Sequence, residues 1–389
     1  MSGTTSQSHH QRRAIVVGGS LGGLFAGNLL RAAQWDVEVY ERSTHDLDSR
    51  GGGIVLQPEV VEALRQSGCE LPLSELGVRS EYRTVFRPDG SIRSHSYMPQ
   101  VQTSWSLIYT KLRDAFGPEH YHRGQTLVNV DQTGPGIVRA VFDSGHEAQA
   151  QLLIGADGGS STVRRLMSPD SQPTYAGYVA WRGLLPEHAV PARVREEMFG
   201  TFSFANHQGS HILGYLVPGA DNDLRPGHRL YNWVWYRVAP LDILPRIMTD
   251  ADGHERGFSV PEGRLAPAWR DDLFEQADAL LPPQFRAVVQ ATQHPFVQAI
   301  RDLAVDHMVN RRVLLLGDAA AIPRPHTAAS TSKAATNALA LSAALRAFPN
   351  DLDRALRSWE PAQLALGRKL RIQGTEIGNH LLFNQAPSA

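Results

Sequence analysis

The feature that most constrains the fold is a glycine-rich turn between a predicted strand and a predicted helix near the start of the chain. The segment from residue 13 to residue 42 begins RAIVVGGSLGG and ends VEVYER, which predicts a strand, a turn, a helix and a second strand. Gly18 suits the tight turn after the first strand, and Gly23 allows the helix to pack against that strand. The helix N-terminus then offers free backbone N–H groups and a positive dipole to a pyrophosphate.

The same unit carries further groups that a bound dinucleotide needs. Glu41, about twenty residues after the turn, is placed to accept hydrogen bonds from a ribose diol. The turn departs from the G-x-G-x-x-G pattern at its middle position, where Ser20 is small enough to leave room for a phosphate. The alternative is an ordinary strand–helix turn without a ligand. We favour the nucleotide, and we include Leu21, Gly22 and Arg42 with Ser20 among the predicted cofactor-binding residues.

Two later segments share a second pattern, in which a hydrophobic run leads to a glycine and an aspartate among small residues. They read LLIGADGG at residues 152–159 and VLLLGDAA at residues 313–320. Such runs predict strands that are buried on both faces. An aspartate at the carboxyl end of such a strand points into the crevice where open α/β sheets bind ligands. The alternative is that Asp157 and Asp318 only cap the helices that follow.

Composition limits the class of protein. The chain has 389 residues, enough for two domains, and a formal net charge of −1, so we expect no nucleic acid partner. Its single cysteine, Cys69, excludes an internal disulfide framework and fits a reducing compartment. No apolar run approaches a membrane span, and the polar residues 1–12 predict a disordered tail instead of a signal peptide. We therefore expect a cytoplasmic protein without a membrane partner or a bound metal.

The hydrophobic patterns predict an α/β fold with a second domain of the α+β type. Rossmann-like strand, turn and helix segments alternate with a region of aromatic-rich strand patterns, so the two domains interleave. The predicted nucleotide-binding domain comprises residues 13–78, 104–172 and 300–385 and ends in helices, and the predicted second domain comprises residues 79–103 and 173–299.

The second domain is predicted to be built on a β-sheet. Pro88-Asp89-Gly90 between two strand patterns predicts a hairpin. Three further strand patterns alternate and are rich in aromatic residues, which predicts a sheet with one face toward a flat apolar layer. That layer is either a packed helix layer or an aromatic ligand. The aromatic-rich patterns are residues 201–204, 211–217 and 231–236, and helices are predicted at residues 59–66, 105–116, 268–279, 284–293 and 328–347 and onward to 370.

Taken in this order, the three motifs resemble those of the FAD-dependent aromatic hydroxylases, the flavoprotein monooxygenases of the para-hydroxybenzoate hydroxylase type. The resemblance extends from about residue 13 to about residue 370. Within the family, three stretches are similar to the 2,6-dihydroxypyridine 3-hydroxylase branch. They are GGIVLQPE at residues 52–59, TYAGYVAWRG at residues 174–183 and PRPHTAA at residues 323–329. The resemblance implies a Rossmann-like FAD-binding domain of the glutathione-reductase type, interleaved with a substrate domain.

The resemblance also implies FAD as cofactor, NADH or NADPH as co-substrate, and O₂. By similarity, the glycine turn and Glu41 hold the pyrophosphate and ribose, and Asp318 reaches ribityl or ribose hydroxyls. Asp157 lies in a motif that the family associates with both FAD and the nicotinamide. Pro325, followed by Ala328 and Ala329, flanks the isoalloxazine, and a helix that starts near Ala328 directs its N-terminal dipole at the flavin.

Three positions depart from the common pattern of the family. Many members carry Gly-Gln-Gly after the proline, where this chain has Thr327-Ala328-Ala329-Ser330, as in the dihydroxypyridine branch that it resembles. Trp105 stands where many members place an arginine that touches FAD, and Asn337 stands where many place an aspartate. We expect none of these departures to abolish FAD binding.

By the same resemblance, the activity is hydroxylation of a small electron-rich ring through an oxygen adduct at flavin C4a. The chain has no second glycine-rich unit, which favours transient docking of NAD(P)H. A base or relay near the ring would help, because a deprotonated hydroxyl makes the ring more reactive. The candidate catalytic residues are His326, His211 and Tyr215, each of which could instead be structural. Arg50 could contact FAD phosphate or nicotinamide, and Arg182 could face the substrate, with a solvated loop or strand-edge role as the alternative.

Two other functions stay open at this stage. Flavin-dependent halogenases or epoxidases share the fold, but residues 233–236 lack the continuation of the halogenase Trp-x-Trp-x-Ile-Pro signature, and the chain has few lysines. A flavin-binding sensor without turnover is the third hypothesis. The predicted partner is a small aromatic substrate, and a homodimer is carried as a hypothesis.

Overall fold

The computed structural model describes residues 12–47, 52–132, 134 and 136–383, and the account of the fold refers to these residues. The strands are β1 (Arg13–Val17), β2 (Asp36–Glu41), β3 (Gly53–Val55), β4 (Val78–Phe86), β5 (Ile92–Ser104), β6 (Tyr121–Arg123), β7 (Leu127–Asp131), β8 (Val138–Phe142), β9 (Glu147–Ala150), β10 (Leu152–Gly155), β11 (Thr174–Pro186), β12 (Thr201–His207), β13 (Ser210–Val217), β14 (Leu230–Val238), β15 (Ser259–Val260), β16 (Phe296–Ala304), β17 (Val309–Asn310), β18 (Val313–Leu315) and β19 (Ala321–Ile322). The helices are α1 (Leu21–Ala32), α2 (Pro58–Gln66), α3 (Trp105–Phe116), α4 (Thr162–Met167), α5 (Ala192–Met198), α6 (Leu244–Ile247), α7 (Pro267–Leu280), α8 (Pro283–Ala291), α9 (Ser330–Ala347) and α10 (Leu352–Phe383).

The first sheet is the one predicted from the three motifs. Its six strands run in the order β17-β18-β10-β1-β2-β6, and its pairs are parallel except at the β17 edge. The central strands β10 and β18 are buried along their whole length, as their hydrophobic runs predicted. Helix α1 packs on β1 and β2, and α9 packs on α1. Because these strands are parallel, the carboxyl ends of β1, β2, β10 and β18 meet at one edge of the sheet.

The second sheet is larger and mostly antiparallel. Its path is β15-β16-β11-β14-β13-β12-β4-β5-β3, with β19 paired to β16. One face packs on helices α7 and α8 through a core that includes Trp181, Trp233 and Trp235. Because side chains alternate along a strand, the residues between these tryptophans project to the opposite face, toward the first sheet. Strands β7, β8 and β9 form a small third sheet.

The structure confirms the α/β class and most predicted elements. The hairpin around Gly90 forms between β4 and β5, and α3 spans the predicted residues 105–116. Two boundaries were wrong. Helix α9 begins at Ser330 instead of near Ala328, because Ala328 has a φ of +52°, which lies outside the helical region. The last helix continues to Phe383, past the predicted end near residue 370.

None of the described helices has a stretch long and apolar enough to cross a bilayer. The predicted tail lies outside the described residues except for Arg12, as do the last residues of the predicted nucleotide-binding domain.

Candidate active site

A cavity of about 620 Å³ opens between the large sheet and the carboxyl edge of the six-stranded sheet. Its size is typical of sites for cofactors and small molecules. Turns after β1, β2, β10 and β18 line one end, and side chains of the large sheet line the other. The predicted residues that line it are Gly18, Ser20, Leu21, Gly22, Glu41, Arg42, Asp157, Tyr215, Asp318, Pro325, Ala328 and Ala329.

The glycine turn has the geometry that its sequence predicted. Gly18 has a φ of +103°, and a Cβ on it would lie 2.5 Å from the carbonyl oxygen of Ala156. A Cβ on Gly23 would lie 1.9 Å from the carbonyl oxygen of Gly18. Gly23 is not among the described residues that line the cavity, so its role is helix packing. Both positions therefore exclude a side chain.

The N-terminus of helix α1 opens onto the cavity. Ser20 is the N-cap residue, and its side chain makes no capping hydrogen bond. Leu21 and Gly22, the first two residues of the helix, line the cavity. Backbone N–H groups at a helix start have no partner within the helix, so this end suits an anionic phosphate.

Glu41 ends β2 and is almost fully buried. One carboxylate oxygen accepts a hydrogen bond from the Gly19 N–H at 2.8 Å, and the other accepts from the Ser43 N–H at 2.9 Å. Tyr121 donates its hydroxyl hydrogen to the Gly19 carbonyl oxygen at 2.9 Å. The carboxylate thus fixes the glycine turn as well as facing the cavity.

Asp157 follows β10 and makes the hydrogen bonds that the helix-capping alternative predicted. Its carboxylate accepts from the Ser161 hydroxyl, from the Thr162 N–H at 2.7 Å and from the Val163 N–H at 3.1 Å. Burial raises the pKa of Asp157, although these hydrogen bonds oppose the rise. Asp157 therefore holds the start of α4 and also lines the cavity.

Asp318 follows β18, and its side chain remains 42 % exposed. One carboxylate oxygen accepts hydrogen bonds from the Ser330 hydroxyl and from the Lys333 ammonium, each at 2.8 Å. Lys333 is buried and also donates to the Ala321 carbonyl oxygen. The sequence did not predict this lysine, which ties the Asp318 turn to the first turn of α9.

The loop before α9 forms another wall of the cavity. Pro325, Ala328 and Ala329 line it together with the first residues of the helix. Asn337, deeper in α9, accepts a hydrogen bond from the Gly317 N–H at 3.2 Å. The amide at this departure from the family pattern therefore supports the turn that carries Asp318.

The large sheet turns one face to the cavity, with alternate residues of several strands exposed to it. Ala180 on β11 pairs with Tyr236 on β14, and Arg182 pairs with Val234. The face is mainly apolar, with a few polar groups of the kind that orient a ligand. Its cavity-lining residues are Ala180, Arg182, Phe202, Leu213, Tyr215, Val234, Tyr236, Gln298 and Ile300. Of these, only Tyr215 was a predicted catalytic residue. The period-two alternation of β12, β13 and β14 could also have indicated Phe202, Leu213, Val234 and Tyr236.

Two buried tyrosines on this face keep their phenolic protons. Burial raises the pKa of Tyr236 to about 12 and raises that of Tyr215 further. The Tyr215 ring lies against Gly53, where a Cβ would be 2.4 Å from the nearest ring carbon. Both side chains are therefore neutral hydrogen-bond donors at neutral pH.

The two predicted catalytic histidines lie behind this wall and are not among the described residues that line the cavity. The His326 Nε2 is 2.9 Å from the Tyr178 hydroxyl, and the His326 ring centroid is 4.6 Å from that of Tyr236. The His211 Nδ1 is 2.5 Å from the Asn206 amide oxygen. Burial lowers the pKa of His211 to about 4 and that of His326 to about 3. Both imidazoles are thus neutral, weak bases, which favours hydrogen bonding over proton abstraction.

Three arginines were among the residues predicted to face a ligand. Arg42 is exposed and lines the cavity, as does Trp105 at the position where the family pattern has an arginine. Arg182 lines the cavity on the large sheet. Arg50 lies outside the described residues.

Comparison with known proteins decides the family. The chain is 39% identical over 359 residues to 2,6-dihydroxypyridine 3-monooxygenase of Paenarthrobacter nicotinovorans, which covers 91% of this chain and 88% of that protein. The solved structure of 2,6-dihydroxypyridine-3-hydroxylase from Arthrobacter nicotinovorans superposes with a TM-score of 0.90, at 36% identity, over 97% of this chain and 94% of the other. The protein belongs to the FAD-dependent aromatic hydroxylases.

Other matches agree with this membership. A family model described as FAD binding domain-like matches residues 175–302. The hydroxylase is also 27% identical to 3-amino-4-hydroxybenzoate 2-monooxygenase of Streptomyces cremeus, over 90% of this chain and 83% of that protein. The structure of Klebsiella pneumoniae HpxO, complexed with FAD and uric acid, shares the fold, with a TM-score of 0.74, 22% identity and coverage of 95% and 89%.

The hydroxylase uses FAD, with NAD(P)H and O₂ as co-substrates, and it is a monooxygenase. This result favours the hydroxylase hypothesis over the halogenase, epoxidase and sensor hypotheses. The cavity fits FAD, because its one end offers an uncapped helix start and a glycine turn that admits no side chain. Its other end is an apolar face suited to a flat ring.

Proposed function

We propose that the substrate is a small, electron-rich ring of the hydroxypyridine or phenol type. The observation that carries the proposal is the cavity-facing side of the large sheet, where apolar side chains surround the neutral phenols of Tyr215 and Tyr236. Such a face admits a flat ring, and a phenol can donate a hydrogen bond to a ring oxygen. The similarity to 2,6-dihydroxypyridine 3-monooxygenase supports a hydroxypyridine in particular.

We further propose which residues hold FAD. The start of α1, with Ser20, Leu21 and Gly22, would bind the pyrophosphate, and Glu41 and Arg42 would lie beside the adenosine ribose. Asp318 would bind hydroxyls of the ribityl chain, since its carboxylate stays partly exposed. The remaining proposed contacts are Gly18, Arg50, Asp157, Pro325, Ala328 and Ala329, whereas Gly23, also predicted to bind the cofactor, would act only by letting α1 pack against the turn. FAD bound there would accept two electrons from NAD(P)H and, once reduced, activate O₂.

The protein's own contribution would be orientation and exclusion of water. We propose that Tyr215, which lines the cavity, donates a hydrogen bond to a ring oxygen. His326 and His211 would act on the substrate only indirectly, by packing against Tyr236. The ring centroids of both histidines lie within 6.0 Å of the Tyr236 ring centroid. We therefore treat these two histidines as positioning residues for Tyr236.

The domain division stays a proposal with the predicted bounds, namely residues 13–78, 104–172 and 300–385 for FAD and residues 79–103 and 173–299 for the substrate. Two separate groups of buried side chains support it, one around the parallel sheet and one between the large sheet and helices α7 and α8. A cytoplasmic location, from the lone Cys69, and a homodimer also stay proposals.

Consumption of NADH or NADPH in air tests the proposed function. We expect 2,6-dihydroxypyridine, or another hydroxypyridine or phenol, to accelerate this consumption, and pyridine and benzene to serve as controls without ring oxygen. Anaerobic stopped-flow measurements should show faster flavin reduction when the same ring is bound. Rates of consumption and reduction that do not change across a broad panel of phenols and hydroxypyridines would refute the proposal.

A further inference from the structure

Arg182 places a positive charge on the apolar face of the cavity. Its Nη1 donates a hydrogen bond to the Gln298 amide oxygen at 2.9 Å, and Gln298 also lines the cavity. The guanidinium carbon lies 5.6 Å from the ring centroid of Phe296. Among the described residues, the buried Nε atom has no hydrogen-bond partner. Because Nε is closed off by its neighbours, a ligand in the cavity would be bound by the Nη groups of this cavity-lining side chain.

Among the described residues, Arg182 also has no carboxylate as ion-pair partner. Within the described part of the chain, no carboxylate oxygen lies within 4 Å of its guanidinium, whereas Arg237 on the opposite face of the sheet pairs with Asp272 at 3.1 Å. Arg324, behind the same wall, pairs with Asp302 at 2.8 Å. A cation in an apolar site without an anion carries a desolvation cost that a bound anion would offset.

The carboxylates of the cavity lie at its other end. Glu41 and Asp157 are held by backbone N–H groups, and Asp318 is held by Lys333. The groups near Arg182 on the sheet are instead the neutral phenols of Tyr215 and Tyr236. The cavity therefore has an acidic end that suits ribose and ribityl hydroxyls, and an end where a guanidinium and two phenols can donate hydrogen bonds to an anionic oxygen.

The loop opposite Arg182 is shaped to its guanidinium. A Cβ on Gly52 would lie 2.0 Å from the Arg182 Nη2, so a larger residue there would displace the side chain. Gly52, Phe296 and Gln298 thus surround the guanidinium, and the hydrogen bond to Gln298 orients it on the cavity wall. An arginine fixed in this way loses little further entropy when it binds an anion.

We propose that Arg182, held by Gln298, binds an ionised oxygen of the ring substrate and so makes the site selective for anionic rings. The anion is a pyridinolate, phenolate or carboxylate oxygen, each of which accepts charge-assisted hydrogen bonds from a guanidinium. This inference rests on the proposed function and deepens it, because it names the charge state of the substrate. It makes Arg182 a specificity-determining residue.

The test compares two ligands with the same 2,6-dioxygenated pyridine ring on the oxidised holoenzyme under anaerobic conditions. Flavin absorbance is titrated with 2,6-dihydroxypyridine, which can ionise, and with 2,6-dimethoxypyridine, which has no ionisable oxygen. We expect Arg182→Gln to weaken the binding of the first ligand by about 10-fold to 100-fold, from the loss of a charge-assisted hydrogen bond. The binding of the second should stay within about twofold, and Arg182→Lys, which keeps the charge but loses the planar fork, should fall between.

The matched control is Arg237→Gln, the same change on the opposite face of the same sheet, where the affinity ratio of the two ligands should equal that of the wild type. An unchanged ratio in Arg182→Gln would overturn the inference, and so would equal affinities of the wild type for both ligands. If Arg182→Gln does not retain FAD, the affinity ratio of the two ligands is compared between the wild type and Arg182→Lys. An equal ratio in these two proteins would then overturn the inference. If the wild type forms product but Arg182→Gln has the same affinity ratio for the two ligands, only the inference is overturned. If the wild type binds neither ligand and neither ligand stimulates NAD(P)H consumption, the proposed function is overturned as well.

Discussion

The substitution Gly23→Ala tests the packing on which the nucleotide end of the cavity depends. A Cβ at this position would lie 1.9 Å from the carbonyl oxygen of Gly18 and 3.1 Å from the Val16 side chain. Cβ atoms essentially never approach another atom within 3.0 Å, so helix α1 or the turn must move by about 1 Å. The obstacle is backbone, which cannot rotate away as a flexible side chain would.

The neighbouring Gly22→Ala is a matched control. Its Cβ would meet the Leu316 side chain at 3.4 Å and the Ala334 side chain at 3.7 Å, which are ordinary contacts. We expect Gly23→Ala to lower the free energy of unfolding by about 1–3 kcal/mol or more, the usual cost of overpacking. Gly22→Ala should be neutral or should stabilise the helix by up to about 1 kcal/mol.

Thermal unfolding measures the stability of both variants, and flavin absorbance per chain after gel filtration measures the bound FAD. Gly23→Ala should melt at a lower temperature than both Gly22→Ala and the wild type, and it should lose most of its FAD. A Gly23→Ala protein that melts with the wild type and retains one FAD per chain would refute the packing argument.

Three further predictions follow from the same geometry. Asp318→Ala should strip FAD from the purified protein, because it removes a partly exposed carboxylate and leaves the buried Lys333 without its carboxylate partner; a fully yellow variant would contradict the assignment. His326→Ala should lower turnover more than FAD affinity, as shown by steady-state rates and FAD titration, and the reverse ranking would make the residue structural. Because burial lowers the pKa of His211 to about 4, the folded state binds fewer protons than the unfolded state between about pH 4 and pH 6.5. The free energy of unfolding should therefore fall as the pH is lowered across this window, by up to about 1.4 kcal/mol per pH unit. In melting curves recorded at several pH values, His211→Phe should show a smaller fall than the wild type. An equal pH dependence in the two proteins would exclude His211 as a cause.

The sequence predicted best what local chemistry determines. The positive φ of Gly18 and the buried strands before Asp157 and Asp318 follow from short patterns that have few structural solutions. The alternation of aromatic residues likewise predicted a sheet with one face toward an apolar layer. The structure adds that one face packs on helices α7 and α8 and that the opposite face borders the cavity, which no single strand pattern could show.

What the sequence did not predict depends on contacts between distant segments. Lys333 reaches Asp318, and Arg182 faces Gln298 on the neighbouring strand, across 116 positions of chain. His326 follows a motif at the cavity wall, yet its ring hydrogen-bonds with Tyr178 behind that wall. Tertiary packing sets the direction of a side chain at the end of a loop. The nearness of His326 in sequence to residues that line the cavity was therefore a poor guide to its role.

The most direct test of the account is the fate of molecular oxygen in a single reaction. The holoenzyme is incubated with 2,6-dihydroxypyridine and NADH or NADPH under ¹⁸O₂, and the product is examined by mass spectrometry. The account predicts a product with one additional oxygen atom that carries the ¹⁸O label, formed only when FAD, reductant and ring are all present. If this ring and a library of hydroxypyridines and phenols yield no labelled product while the protein holds FAD, the central claim is contradicted.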